Sequence, residues 1–255
     1  KASAVATTGQ VSPPLRINES TTQEQFSRIL GGRYELKEML GRGGMGVVYK
    51  AVDPTIGRPV AIKTIRLDHT LGSKQLSNLK ERSLREAQIA GQLSHPNIVT
   101  IYDVVEQGGN LFIAMELIDG QELSRFCKKD TLLKPRQATA IIAYICNALD
   151  YAHKQSVVHR DIKPGNVMLT RDGQVKLLDF GLAKEIEKDN NLLAESEDET
   201  LPIDDITAKW KSALTHEGTI LGTVYYMSPE QARGEGLDER TDIFSLGTLM
   251  YELAS

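Results

Sequence analysis

Three stretches in the first half of the chain alternate apolar and polar residues with a period of two. They are RYELKEML (33–40), GVVYKAVD (46–53) and RPVAIKTIRL (58–67), and this repeat predicts half-buried strands. SNLKERSLREAQIAGQL (77–93) then places Leu79, Leu84, Ala87 and Ala90 at helical spacing with charges on the other face, the pattern of an amphipathic helix. HPNIVTIYDVVEQGGNLFIAMEL (95–117) reads as two strands joined at Gly108-Gly109. After DGQEL the period changes to three and four. PRQATAIIAYICNALDYAHKQ (135–155) is the longest helix expected, with Pro135 at its start. Short strands are expected around VVHRD, NVMLT and VKLLD, and an apolar helix in TDIFSLGTLMYELAS (241–255).

The flanks are different. Residues 1–32 are rich in Ser, Thr, Ala, Gln and Pro without apolar periodicity and read as a flexible leader. Residues 185–217 hold ten acidic side chains against three lysines and read as a mobile acidic loop. With 255 residues, 40% of them hydrophobic, the chain can build one large domain or two lobes with a real core. A net charge of −4 gives no basic field for nucleic acid or an anionic membrane. Cys127 and Cys146 lack metal-ligand spacing and are expected to be buried, reduced thiols of a cytoplasmic protein. No apolar run reaches the ~18 residues of a membrane span, so the chain is expected to be soluble; an anchor outside it stays open.

GRGGMG, comprising Gly41, Arg42, Gly43, Gly44, Met45 and Gly46, fits GxGxxG. Alone this is a flexible hairpin turn as readily as a phosphate cradle. A dinucleotide fold needs a helix after the third glycine, yet VVYKAV is strand-like, and no GK[ST] follows. A glycine-rich turn between two strands lets backbone N–H groups approach phosphate oxygens. Lys63, ending VAIK in the third strand, could be a solvated edge lysine; about twenty residues after the glycines, it can instead reach phosphates. It then needs a carboxylate, for which Glu86 in the REAQ string is chosen over Glu81.

HRDIKPGN (159–166) carries the strongest signal. Asp161 can accept or orient a hydroxyl proton, Lys163 can neutralise a phosphate as charge builds, and Asn166 offers a neutral oxygen to Mg²⁺. Pro164-Gly165 supplies a bend. A polar surface turn would not explain the apolar residues on both sides. LLDFG places Asp179 at a strand end, a second Mg²⁺ ligand, with Phe180 able to dock inward and Gly181 to swing.

Together LGRGGMGVVYKA, HPNIV, VVHRDIKPGNVML, VKLLDFGLAK and GTVYYMSPEQARG resemble the protein kinase family, in particular bacterial Ser/Thr kinases of the eukaryotic-like type, from about Tyr34 onward. The resemblance implies an α+β, bilobal protein-kinase-like fold: a strand-rich N-lobe over 33–117 and a helical C-lobe over 118–255. It implies ATP and Mg²⁺ as cofactors and protein Ser/Thr hydroxyls as substrates. Leu40, Val48, Ala61 and Met168 would line the adenine pocket, with Met115 as gatekeeper, the backbone of Glu116 and Ile118 on the adenine edge, and Glu122 near the ribose. Lys163 resembles the Ser/Thr branch, and Arg160 would pair with a phosphorylated activation loop. Thr215 or Thr219 is expected to be autophosphorylated, with self-association as a route to it, and Thr223 would sit near Asp161 and Lys163.

Two departures follow. Asp179 to Glu230 spans 52 residues, about twice the family's need; the acidic insert is expected to loop out, since each doubling of loop length costs only about 0.6 kcal/mol. The chain also ends within the helix beginning near Thr241. By resemblance Asp242 should tie that helix to the catalytic loop, later helices should follow, and the arginine that pairs with Glu230 is missing, so a C-terminally truncated catalytic domain of low stability or weak activity is expected. A kinase-like binding or scaffolding module and a small-molecule kinase remain as alternative functions.

Overall fold

A computed structural model describes residues 29–43, 46–65, 73–128, 130–180 and 224–255. The alternating stretches form a six-stranded antiparallel sheet in the order β1-β2-β3-β4-β6-β5. Its strands are β1 (Ile29–Leu30), β2 (Tyr34–Gly43), β3 (Gly46–Asp53), β4 (Arg58–Ile65), β5 (Ile101–Gln107) and β6 (Asn110–Glu116). The last two meet at Gly108 (φ 60°) and Gly109 (φ 79°), the two left-handed positions of a tight hairpin.

The two faces of β4 have different fates. Val60 and Ile62 pack with Leu30, Tyr34, Ala51, Phe112 and Ala114 in one apolar cluster. Ala61, Lys63 and Ile65 point the other way, toward the helix α1 (Ser73–Gly91), where Ile65 packs with Ala87, Leu111 and Ile113. Register places Lys63 opposite Val48 on β3 and Ile113 on β6, and Ala61 opposite Met115. Cross-strand partners share a face, so these residues line one side of the sheet.

The second half holds a three-stranded sheet of β7 (Gly120–Glu122), β8 (Val167–Thr170) and β9 (Val175–Leu177), and the helices α2 (Pro135–Lys154), α3 (Pro229–Arg233) and α4 (Glu239–Ala254). Pro135 is pre-set for the first turn of α2, and Ile141, Ile145, Ala148, Leu149 and Ala152 form its buried stripe. These pack with Leu246, Leu249 and Leu253 of α4 and with Ile162, Val167, Leu177 and Phe180. Thus α2 and α4 form the support on which residues 159–180 rest. Among the described residues no helix is long and apolar enough to cross a membrane.

Several local expectations are corrected. Ile29 and Leu30, placed in the leader, pair with Glu35 and Tyr34, and Leu30 is buried. The helix α1 begins four residues earlier than its apolar period suggested. Residues 157–161 are not a strand: Arg160 takes φ 67°, and the N–H groups of His159 and Arg160 go to a side chain of α4 instead of a ladder. Both cysteines are free thiols, but Cys127 is half-buried and Cys146 exposed, because Cys146 falls off the buried stripe of α2. For Cys127 burial pushes the thiol up to about 11. The rest of the leader, the acidic insert and Gly44, Met45, Gly181, Thr215, Thr219 and Thr223 lie outside the described residues.

Candidate active site

Asp161 and Asn166 are both buried, and they are bonded to each other. Asn166 Nδ2 donates to the Asp161 backbone carbonyl at 2.7 Å and to Asp161 Oδ2 at 2.9 Å. Lys163 Nζ lies 2.7 Å from the same Oδ2. A single turn of 3₁₀ helix at Pro164–Asn166 makes this possible by folding the two ends of the loop together. One carboxylate thus carries an ammonium and an amide, fixing its direction in a water-poor setting.

His159 connects this loop to Asp179. Its Nε2 lies 2.7 Å from the Leu178 carbonyl, and its Nδ1 lies 3.2 Å from the Asp161 N–H. A carbonyl only accepts and a backbone N–H only donates, so the ring carries its proton on Nε2 and Nδ1 accepts. Complete burial lowers its basicity and keeps it neutral, against the pull of Asp242 and Asp161. The ring also packs on Phe180 at 4.5 Å between centroids, and Phe180 is buried as its docking inward required. Leu178 N–H donates to the Asn166 carbonyl at 2.9 Å. Asp179 therefore follows from a residue gripped on both sides by the loop.

Asp242 anchors the loop from below, as the family resemblance implied. Fully buried on α4, it accepts from His159 N–H at 2.8 Å and Arg160 N–H at 2.7 Å, and lies 2.8 Å from His153 Nε2 on α2. Gln231 Nε2 on α3 donates to the Arg160 carbonyl at 2.8 Å. Arg160 (φ 67°) and Asp179 (φ 59°) both sit in the left-handed region. Such residues cost about 1–3 kcal/mol each and persist only when their surroundings hold them. Here Asp242 holds Arg160.

Lys63 reaches the site from the sheet. It is buried, and its Nζ lies 2.6 Å from Asp179 Oδ2. The carboxylate in this contact is thus Asp179, whereas Glu86 was chosen from sequence; Glu86 sits half-buried on α1 beside the buried Ala87. A small cavity brings Lys63, Asp179 and Phe180 together with Met115, Ile113 and Ala90. Of the residues placed around adenine, Ala61 is buried, Val48, Met168, Glu116 and Ile118 are half-buried, and Leu40 and Glu122 are exposed. Met168 stands opposite Glu122 on β7 and Lys176 on β9. Glu122 accepts a hydrogen bond from Ser124 Oγ at 2.9 Å. Glu230, for which an arginine was sought, accepts from Thr241 Oγ1 at 2.8 Å.

The arrangement therefore couples an ammonium and carboxylate from opposite lobes to a cluster of buried Asp161 and Asn166 with half-buried Lys163. The family model for the protein kinase domain matches residues 34–255. The chain belongs to the protein kinase family. Among its relatives, a probable serine/threonine-protein kinase of Streptomyces coelicolor is 41% identical over 230 residues, covering 89% of this chain and 30% of that protein. The serine/threonine-protein kinase PrkC of Bacillus subtilis is 36% identical over 224 residues (88% and 30%), and PknB of Mycobacterium tuberculosis 37% over 228 residues (88% and 32%). The chain spans about a third of the length of the curated relatives it matches. The α+β bilobal protein kinase fold is the one expected.

Two contacts of this kinase domain were not read from sequence: His153 with Asp242, and Lys176 with Glu116. Neither has a local signal, since each joins residues at least 60 positions apart.

Proposed function

We propose that this kinase domain transfers the γ-phosphate of Mg-ATP to Ser or Thr hydroxyls of proteins, with autophosphorylation at Thr215 or Thr219 and self-association as its control. The observation that carries this is the pair of linked contacts, Lys63 with Asp179 and Asp161 with Lys163 and Asn166, joined through His159 and Leu178. Asp161 orients the substrate hydroxyl and takes its proton, and Lys163 beside it balances charge on the transferring group. Lys63 holds the nucleotide phosphates, together with the glycine-rich segment 41–46.

The donor set suits Mg²⁺. Among the described residues no group of three or more His, Cys, Asp or Glu could hold a metal alone. A carboxylate and an amide, Asp179 and Asn166, fit a cation that keeps waters and phosphate oxygens in its shell. Because Asn166 spends its amide nitrogen on Asp161, its oxygen is the atom left for a cation. Bound there, Mg²⁺ would neutralise phosphate charge. The adenine edge would meet the backbone of Glu116 and Ile118, with Leu40, Val48, Ala61 and Met168 around the ring, Met115 behind it and Glu122 near the ribose. The two lobes would divide as 33–117 and 118–255, after a leader.

Incubation with radiolabelled ATP and a generic basic protein tests this. Label on Ser and Thr, absent from Asp161→Asn and Lys63→Met, is expected. A wild-type protein that binds Mg-ATP but labels nothing would instead support a binding module. Mass spectrometry that finds Thr215 and Thr219 unmodified after the same incubation would remove the autophosphorylation sites.

A further inference from the structure

Lys176 lies on β9 between Val175 and Leu177, both in the apolar core, and is itself only 9% exposed. Its Nζ is 2.8 Å from Oε1 and 2.9 Å from Oε2 of Glu116, so one ammonium is shared between both carboxylate oxygens. Glu116 is the last residue of β6. Its N–H donates to the Thr100 carbonyl at 2.9 Å, and its Oε2 accepts from the Thr100 N–H at 3.3 Å. The segment before Thr100 grips β9 in turn. Val99 N–H donates to the Leu177 carbonyl (2.9 Å), Leu177 N–H to the Asn97 carbonyl (2.8 Å) and Asn97 Nδ2 to the Val175 carbonyl (2.9 Å). The contacts form a closed ring: β6 to Thr100, back along 97–99, across to β9, and through Lys176 to β6 again.

Apart from the ion pair and the Thr100 N–H bond to the Glu116 carboxylate, the ring is backbone and one short amide. The ion pair is the side-chain link that closes it across the cleft, from the C-lobe sheet to the start of the inter-lobe segment 116–118. An ion pair between a buried lysine and a half-buried glutamate adds little net stability compared with apolar packing, but it fixes geometry. Lys176 also stands opposite Met168 on β8, so the strand pair that places Met168 is the one that holds Glu116.

We propose that Lys176 and Glu116 are a positioning pair for the nucleotide base. They fix the 116–118 backbone against the β8–β9 floor, and so set affinity for the base without entering phosphoryl transfer. This rests on reading the cleft as a Mg-ATP site.

The test compares Kd for Mg-ATP and for Mg-tripolyphosphate, which lacks the base, in wild type, Lys176→Met, Glu116→Gln and the double variant, with kcat and the KM for ATP alongside. Expected are a roughly tenfold rise in Kd and KM for ATP in K176M and at least about threefold in E116Q, a double variant no worse than K176M, kcat of K176M within about twofold of wild type, and unchanged tripolyphosphate binding. Loss of ATP and tripolyphosphate affinity in equal measure would show a structural role only and overturn the inference, as would additive effects or a Kd within about twofold in both single variants. Should K176M fail to fold, E116Q, which changes charge but not shape, decides by the same comparison. A wild-type protein that binds no Mg-ATP would instead sink the reading of the cleft itself.

Discussion

Asp242→Asn is the most informative single change, because one buried carboxylate meets three donors. Oδ1 accepts from Arg160 N–H, and Oδ2 faces both His159 N–H and His153 Nε2. An amide keeps only one oxygen. If its nitrogen replaces Oδ1, Arg160 N–H meets a donor; if it replaces Oδ2, His159 N–H and His153 do. Either orientation strands at least one buried backbone N–H, at about 1–3 kcal/mol, and weakens the remaining bonds by removing the charge, which contributes roughly another 1–2 kcal/mol. A total loss of about 3–4 kcal/mol is expected. Urea unfolding followed by far-UV circular dichroism measures it as a lower midpoint at unchanged slope. Arg160 also loses the bond on its N–H, one of those that hold its left-handed backbone, so Asp161 shifts. A misplacement near 1 Å costs about a hundredfold in rate, so kcat should fall by that order while the KM for ATP changes little. A D242N protein within about 0.5 kcal/mol of wild type, with kcat intact, would refute the claim that this carboxylate sets the loop.

His153 is raised above its usual value first by the hydrogen bond to Asp242, with burial opposing and Asp242, Glu239 and Asp150 adding to the rise. Its stabilisation is therefore full below about pH 6.5 and is lost as pH climbs through the raised value; His153→Gln should flatten that alkaline limb in urea midpoints taken across pH. His159 runs the other way: burial lowers its value, so its contribution is present above about pH 6.5 and lost on acidification. Asp53, held down by the hydrogen bond from Arg33, stabilises above the ordinary aspartate range and loses that contribution as pH falls through its depressed value. Asp53→Asn should lower stability at neutral pH and shrink the difference from wild type in acid. Gly46 has φ 142°, and a Cβ there would come 2.0 Å from the Thr64 carbonyl, so Gly46→Ala should lose about 3 kcal/mol or more, visible as a fall in Tm.

The N-lobe strands were legible because a half-buried sheet forces alternation, and the Gly108-Gly109 hairpin because only glycine accepts both left-handed positions at no cost. That Lys63, Asp161, Asn166 and Asp179 would gather was legible from their motifs, and the Lys63–Asp179 and Asn166–Asp161 contacts bring them together in those pairs. The short β1 was not legible, as two residues carry no period. VVHRD misled because two valines imitate a strand, while the deciding contact comes from Asp242, more than 80 residues later. For Cys146 the helix was predicted but its buried face is fixed by packing on α4 and on the residues around β8 and β9. The Lys63 contact shows the same limit: a strand reveals which side chains share a face, not which carboxylate from the other lobe meets them.

The split between the faces of β4 restricts how this kinase can change in length. Deleting or adding a single residue within the strand would swap Lys63 with a neighbour, sending the ammonium into the cluster around Tyr34 and Phe112 and pointing an aliphatic or hydroxyl group at Asp179. The exposed turn at 54–57, outside the paired stretch, can absorb odd insertions without inverting the strand.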